Sequence, residues 1–341
     1  MENMRQRFLT AVAIACLAIT GNAQTLELPT RGKEFWLGFQ QNAYGAQTLS
    51  VRIASPVATS GTVTMPLTGF SAAFSVSANS STTVVLPATA EHSGSEFIAN
   101  KAVLVQALDS VTVTAVSFQN FTADAARVLP RQALGNDYLI DAYRGLPGFG
   151  DYYKSELLIV ATADGTQIDI TPSVNTSGGR PAGLPFTVNL NAGETYQVQS
   201  ALASLDLTGT RVVGAATNGP CRAFAVFGGS MCGNVPVGCQ ACDHLFEQMA
   251  PIETWGTEFF TVPIPGATTW TYRVLASQNG TSVSINGGAA IALNAGQKYE
   301  VNGSNAPVCI VSNLPVNVVE MSEGFNCAST GDPSMICLVP K

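Results

Sequence analysis

Gly32-Lys33-Glu34-Phe35-Trp36 returns as Gly135-Asn136-Asp137-Tyr138-Leu139 and again as Gly256-Thr257-Glu258-Phe259-Phe260. This recurrence decides how the chain is read, because a missed internal repeat misassigns the whole fold. Further landmarks follow in the same order. Ile53-Ala54-Ser55, Val160-Ala161-Thr162 and Leu275-Ala276-Ser277 each precede a Gly-Thr pair, at Gly61-Thr62, Gly165-Thr166 and Gly280-Thr281. Ala78-Asn79-Ser80 then answers Asn191-Ala192-Gly193 and Asn294-Ala295-Gly296. The runs 103–118, 212–228 and 308–320 close the three copies. Each copy is roughly a hundred residues long, the size of a domain rather than of a solenoid turn.

Strand signals dominate within each copy. Leu49 to Ile53, Val111 to Val116 and Ser282 to Ile285 alternate apolar with polar residues, the period of a half-buried strand. Asp164-Gly165 and Asn279-Gly280 are expected as hairpin turns of the type that requires positive φ. Helix signals are scarce, and a single turn is expected over 244–249, ended by Pro251. The sequence therefore predicts an all-β protein of three pseudo-repeated, β-sandwich-like modules. The divisions read as a signal peptide at 1–23, a first β repeat at 24–120, and a connector with the second repeat at 121–230. A Cys-rich connector with the third repeat follows at 231–324. The remaining 325–341, ending in Leu338-Val339-Pro340-Lys341, read as the start of a further connector, cut short.

Composition bounds the function classes. Arg5 and Arg7, the apolar run Phe8 to Ile19 and Gly21-Asn22-Ala23 have the order of a secretory signal. No later run reaches the ~20 apolar residues of a membrane helix, so a secreted or cell-surface protein without a membrane span is expected. Charged residues make up only 11%, and the net charge is −7 with no basic cluster, which leaves a nucleic-acid partner no electrostatic footprint. Beyond the signal lie Cys221, Cys232, Cys239, Cys242, Cys309, Cys327 and Cys337. In an exported chain these are disulfide candidates first, and their odd number means a free thiol, an intermolecular bridge or a partner beyond the terminus.

Cys232, Cys239, Cys242 and His244 have a spacing that would also supply four zinc ligands, but the remaining cysteines offer bridge partners and no second Cys-x2-Cys pair exists. Disulfides are the favoured reading, with no metal and no cofactor. Asp206-Leu207-Thr208-Gly209-Thr210 superficially matches an aspartyl-phosphate loop, but no nucleotide site accompanies it, so a tight turn capped by Thr hydroxyls is expected. His92 and His244 lie in no nucleophile motif. Glu34, Asp137 and Glu258 hold equivalent repeat positions, which points to structural work rather than to a catalytic pair. Trp36, Trp255 and Trp270 are expected in cores. Leu146-Pro147-Gly148-Phe149-Gly150-Asp151-Tyr152-Tyr153 reads instead as an inserted loop, and Phe149, Tyr152 and Tyr153 are the candidate ligand-facing residues.

Several stretches resemble the N-terminal domain of the IgGFc-binding protein family, in the form of a bacterial-type secreted member. They are Gly32 to Trp36, Leu134 to Tyr138, Asp206 to Thr210, Cys242-Asp243-His244-Leu245 with Glu247-Gln248, Trp255-Gly256, and Gly331-Asp332-Pro333-Ser334-Met335. The resemblance implies a secreted or surface-attached, non-enzymatic binding and adhesion module with a glycoprotein or matrix partner. Mucus association and antibody-Fc binding go with the family's animal members. The alternatives are a secreted glycan hydrolase, which would show one acidic cleft with an upward-shifted carboxylate, and a structural surface component, which would self-associate.

Overall fold

The computed structural model describes residues 28–45, 48–218 and 222–341. The expected signal peptide and Cys221 lie outside them. Within the described residues nearly all the regular structure is strand, with little helix. The first assembly contains β1 (Gly32–Leu37), β2 (Thr48–Ser55), β3 (Thr59–Met65), β4 (Phe70–Val76), β5 (Ser80–Leu86), β6 (Ile98–Ala99), β7 (Val103–Gln119) and β8 (Thr122–Val128). The second contains β9 (Asp137–Leu139), β10 (Ser155–Ala161), β11 (Thr166–Thr171), β12 (Phe186–Leu190), β13 (Thr195–Gln199), β14 (Arg211–Gly214), β15 (Phe224–Gly233) and β16 (Asp243–Gln248). The third contains β17 (Gly256–Phe260), β18 (Trp270–Ala276), β19 (Thr281–Ile285), β20 (Ile291–Leu293), β21 (Lys298–Ser304), β22 (Cys309–Ser322) and β23 (Ser334–Cys337), with the short helix α1 (Phe325–Ala328).

One long strand organises the first and third assemblies. The early part of β7, to Val111, pairs with β1 and β3, and the later part, from Thr112, pairs with β2 and β8. The strand therefore crosses from one layer of a sandwich to the other, as corner strands do. β22 repeats this, with β17 and β19 on its first part and β18 and β23 on its second. The strand orders β4-β3-β7-β2-β5 and β20-β19-β22-β18-β21 correspond place by place. In the second assembly two strands divide this role, β14 pairing with β9 and β11 while β15 pairs with β10 and β16. Alternation builds the cores. Ile168 and Ile170 of β11 point inward while Gln167 and Asp169 do not, and they pack with Leu157, Ile159, Val198 and Val226.

Two local expectations are corrected. Asp164-Gly165 and Asn279-Gly280 do not make hairpins, because β10 does not pair with β11 nor β18 with β19. They carry the chain from one layer to the other. Only the glycines take positive φ, at 66° and 75°. The side chains before them reach sideways instead: Asp164 Oδ1 accepts from Ala192 N–H at 3.0 Å, and Asn279 Oδ1 from Ala295 N–H at 3.1 Å. Residues 244–249 form no helical turn, since β16 runs through them and every one of its residues is buried. A strand covered on both faces shows no alternation, which hid it from the period-two reading.

The recurring glycines answer to close approach. A Cβ on Gly32, Gly135 or Gly256 would lie 2.4, 2.7 or 2.2 Å from the Cβ of Pro130, Pro251 or Pro340. The acids two residues on are ion-paired: Glu34 to Arg131 at 3.2 Å, Asp137 to Arg211 at 2.7 Å and Glu258 to Lys341 at 2.8 Å.

β8, β16 and β23 each edge a sheet, and the three pack against one another at the centre of the molecule. No ladder joins them, so side chains satisfy the backbone. Asp243 Oδ1 accepts from Ala123 N–H at 2.6 Å, Gln248 Oε1 from Leu129 N–H at 2.6 Å and Asp124 Oδ2 from Phe246 N–H at 2.9 Å. Glu247 Oε1 accepts from Cys337 N–H at 3.4 Å. Burial pushes the Asp243 carboxyl up to about 7, the Glu247 carboxyl up to about 8, and that of Asp124 well above its usual range.

Two junctions join the assemblies in sequence. β6, from the connection between β5 and β7, adds to the edge of β13, with Ala99 opposite Thr195 and Ile98 opposite Tyr196. Arg273 of β18, only 2% exposed, reaches out of the third assembly into the second. Its guanidinium donates to Glu300 Oε2 at 2.6 Å, to Thr208 Oγ1 at 2.8 Å and to the Ala142 carbonyl, lies 3.4 Å from Asp206 Oδ2, and covers the Tyr143 ring. Burial alone would raise the Asp206 carboxyl, but Arg273 and Lys298 outweigh it and hold that carboxyl below its ordinary value. The Asp206 to Thr210 segment is thus a turn, with Thr208 N–H on Asp206 Oδ1 at 2.9 Å, and it also serves as the seat for Arg273.

Arg273→Ala leaves Asp141 and Glu300 without their cation and Asp206 with Lys298 alone, and breaking such a buried pair costs about 3–5 kcal/mol. Urea denaturation of the variant is expected to show that loss. The central carboxyls set a pH dependence. A carboxyl raised in the native state keeps a proton that the unfolded chain has lost, so stability falls as pH rises between the two values. His92 and His244, lowered to about 4 chiefly by burial, act the other way, but only below 6.5. Between pH 6.5 and about 8 the acids act unopposed. The melting temperature is expected to fall across that window, and to fall less in Asp243→Asn/Glu247→Gln.

Candidate binding site

The inserted loop lies between β9 and β10. Its two ends touch: a Cβ on Gly145 would fall 1.9 Å from the Tyr153 carbonyl oxygen, so no other residue fits there. Asp151 takes φ 55° and anchors the loop by accepting from Ala203 N–H at 3.0 Å. Tyr152 N–H closes a turn on the Phe149 carbonyl at 3.2 Å. The loop thereby holds Phe149 60% and Tyr152 50% exposed.

Tyr153 has a different place. It is 8% exposed and packs with Ala43, Cys232, Leu146 and Cys242. Three rings meet it edge-on: Tyr152 at 5.2 Å, Phe149 at 5.4 Å and Tyr44 at 6.0 Å. A hydrogen bond to Tyr44 and then burial push its phenol up to about 12. Edge-to-face contacts of this kind are each worth ~0.5–1.5 kcal/mol beyond burial, so the buried ring fixes the angles of the exposed three. Tyr44, 66% exposed, was missed by sequence reading. It sits in a different loop, after β1, and the only signal available was its place in Asn42-Ala43-Tyr44-Gly45.

The Cys232–Cys242 disulfide lies beneath this face and ties the end of β15 to the start of β16. Cys239 pairs outward with Cys327, linking the same segment to α1. Cys309 and Cys337 are thiols. Amides extend the face inward: Gln41 lies 3.5 Å from the Tyr152 hydroxyl, and its Oε1 accepts from Gln199 at 3.0 Å. Gln199 in turn donates to Glu156 Oε2 at 3.2 Å. Glu156 is fully buried, which raises its carboxyl well above the usual range. Beside the face, Gln119 donates to the Gly45 carbonyl at 2.8 Å, which places the β7–β8 turn and its 94% exposed Phe121 next to Tyr44's loop.

The other candidate chemistries fare differently. Among the described residues no group of three or more His, Cys, Asp and Glu side chains is placed to hold a metal. Cys232, Cys239 and Cys242 are in disulfides, and His244 Nδ1 bonds the Ser230 carbonyl at 3.0 Å. Of the raised carboxyls, Asp243, Glu247 and Glu156 belong to buried residues. Trp36, Trp255 and Trp270 are buried. Among the described residues no helix is long and apolar enough to cross a membrane.

Residues 124–341 match the family model described as IgGFc binding protein. The chain belongs to this family. It is 27% identical over 275 residues to the IgGFc-binding protein of Homo sapiens, an alignment covering 77% of this chain and 5% of that protein. The chain thus spans a small fraction of that relative's length. A crystal structure of a tetra-tandem repeat in the extending region of a large adhesion protein aligns over 91% of this chain and 75% of its own, at 12% identity. Its TM-score is 0.14, and nothing further rests on it. The loop that carries Phe149, Tyr152 and Tyr153 lies inside the stretch matched to the IgGFc-binding family, and Tyr44 lies before it.

The division of labour among the rings is measurable. Tyr153→Ala removes the ring that orients the others, and its expected cost in denaturation is about 3 kcal/mol, the lower end for a buried aromatic. Phe149→Ala and Tyr152→Ala are expected to stay within ~1 kcal/mol of the parent, as surface truncations do.

Proposed function

We propose that this chain is an exported, non-enzymatic binding module that takes a glycoprotein or matrix partner on the face built from Tyr44, Phe149, Tyr152 and Tyr153. The observation that carries this reading is the mounting of three exposed rings, edge-on, around one buried ring above a disulfide. Exposed aromatics held at fixed angles lose little conformational entropy on binding, which is why such residues dominate recognition hot spots. The amides of Gln41 and Gln199 supply donors and acceptors beside them, suited to sugar hydroxyls. The two disulfides support export, since such bonds persist in oxidising compartments. Membership of the IgGFc-binding family supports a glycoprotein partner, with IgG Fc and mucin as the first ligands to try.

The same reading takes the three assemblies as one unit repeated, running from Gly32 to Pro130, Gly135 to Pro251 and Gly256 to Pro340. The matched strand orders and the three Gly–Pro contacts support these limits. In this division β8, β16 and β23 are the closing strands of their own units.

Immobilised mucin, deglycosylated mucin and IgG Fc test the function. Saturable binding to one of them is expected, and Phe149→Ala/Tyr152→Ala is expected to weaken it at least tenfold, as for a hot spot worth ~2 kcal/mol. Loss on deglycosylation would place recognition on sugar. Binding that survives the double substitution unchanged would remove the aromatic face from the function.

A further inference from the structure

The two junctions share a plan. In each, the connection leaving the fifth strand of one assembly crosses to the next. There it meets the Asn-Ala-Gly turn that opens the equivalent strand, and brings a carboxylate to a cation. The connection 87–102 sets Ala102 N–H on the Gly193 carbonyl at 3.2 Å and Glu96 3.8 Å from Arg180. Glu96 also accepts from the Thr176 hydroxyl at 2.9 Å. The connection 200–210 brings Gly209 so near Gly296 that a Cβ would lie 2.3 Å from its carbonyl oxygen. It gives Asp206 to Arg273 and Lys298.

The first assembly has the same receiving place, and among the described residues nothing of this kind fills it. Asn79, Ser80 and Ser81 stand where Ala192-Gly193-Glu194 and Ala295-Gly296-Gln297 stand in the others. With Ala54, Ser55, Pro56, Thr112, Arg31 and Arg52 they line a hollow. Arg52 donates to Ser81 Oγ at 3.1 Å and Arg31 to the Ser110 carbonyl at 3.0 Å. Among the described residues neither guanidinium has a carboxylate within ion-pair distance, in a chain whose net charge is −7. The adjoining strand β5 pairs only with β2, and its Ser80-Ser81-Thr82-Thr83-Val84-Val85-Leu86 holds no charge and no proline. Natural edge strands that lack both are usually covered.

We propose that this hollow is the docking place for an acidic loop of a partner polypeptide. The partner's carboxylate would sit between Arg31 and Arg52, and its backbone would lie along the start of β5. The chain's own junction loops show the form such an occupant takes: one Asp or Glu among small and hydroxyl residues, as in Leu205-Asp206-Leu207-Thr208-Gly209. The corresponding connection of the third assembly, Asn305-Ala306-Pro307-Val308, carries no carboxylate and does not qualify. The third assembly's own connection is therefore not the occupant, and the proposed partner is a different acidic β protein.

The probe is a cyclised peptide of the 204–210 sequence titrated into the intact 15N-labelled chain. The Nε–Hε signals of Arg31 and Arg52 and the amides of Ser80 and Ser81 are expected to move saturably. The peptide carrying Asp206→Asn, and the protein carrying the exposed substitution Arg52→Gln, are each expected to lose at least tenfold in affinity. Equal responses to the Asp and Asn peptides, or shifts confined to other surfaces, would overturn the proposal. So would an equal or stronger response at these residues to N-acetylneuraminic acid or sulfate, which would assign the hollow to a free anionic group. The response is expected to persist in Phe149→Ala/Tyr152→Ala, so its failure is separable from failure of the aromatic face.

Discussion

Three sheet edges meet at the centre of this molecule, and their backbone donors must find acceptors there without a shared ladder. β8, β16 and β23 are each paired on one side only. An unmet buried N–H costs about as much as a lost hydrogen bond, so such a centre is stable only if side chains reach across. Asp124, Asp243, Glu247 and Gln248 do this, each accepting from the backbone of a neighbouring strand or of its own. The acids suffer burial for it, and their raised carboxyls record that cost. The prolines that end these strands stand against the recurring glycines, so the central contact also fixes where β1, β9 and β17 begin.

A rigid centre leaves the loops to carry the aromatic face on which the proposed function rests. The aromatic face draws on the first assembly for Tyr44 and on the second for Phe149, Tyr152 and Tyr153, with a disulfide of β15 and β16 beneath. It exists only because the two assemblies are held in register. The β6 strand added to β13, and the His92 Nδ1 contact to the Thr195 hydroxyl at 2.8 Å, supply that register. A lone loop would present the same residues at no fixed angle. The packing against Tyr153 converts three mobile side chains into one surface.

The β class was the legible part of the fold. The β class followed from period-two runs such as Val111 to Val116, and the equivalence of Glu34, Asp137 and Glu258 foretold their structural role, which the three ion pairs express. The failures have physical causes. Asp164-Gly165 and Asn279-Gly280 carry the letters of a hairpin, but a turn between layers uses the same glycine, and only tertiary pairing separates the two. β16 escaped notice because both its faces are buried, so it shows no alternation. Within the candidate site, glycines and aromatics marked the inserted loop, but nothing local distinguishes the buried ring of Tyr153 from its exposed neighbour Tyr152. Tyr44 was out of reach, since its partner lies in another assembly.

Charge is scarce in this chain, and where it is spent tells what each surface is for. At the junctions, carboxylates meet guanidinium or ammonium groups: Asp206 with the buried Arg273 and the part-buried Lys298, and the buried Glu96 with the half-exposed Arg180. Such pairs add little net stability over an apolar contact but discriminate strongly against wrong alignments, because a misplaced buried charge is costly. They therefore act as registers between assemblies. The aromatic face carries rings and amides instead, which suits a neutral, hydroxyl-rich ligand whose own water is only partly stripped. Arg31 and Arg52 belong with neither group. They have the character of a junction, and among the described residues no carboxylate pairs with them, so at a receiving turn like those that Asp206 and Glu96 serve elsewhere they have the form of half an interface.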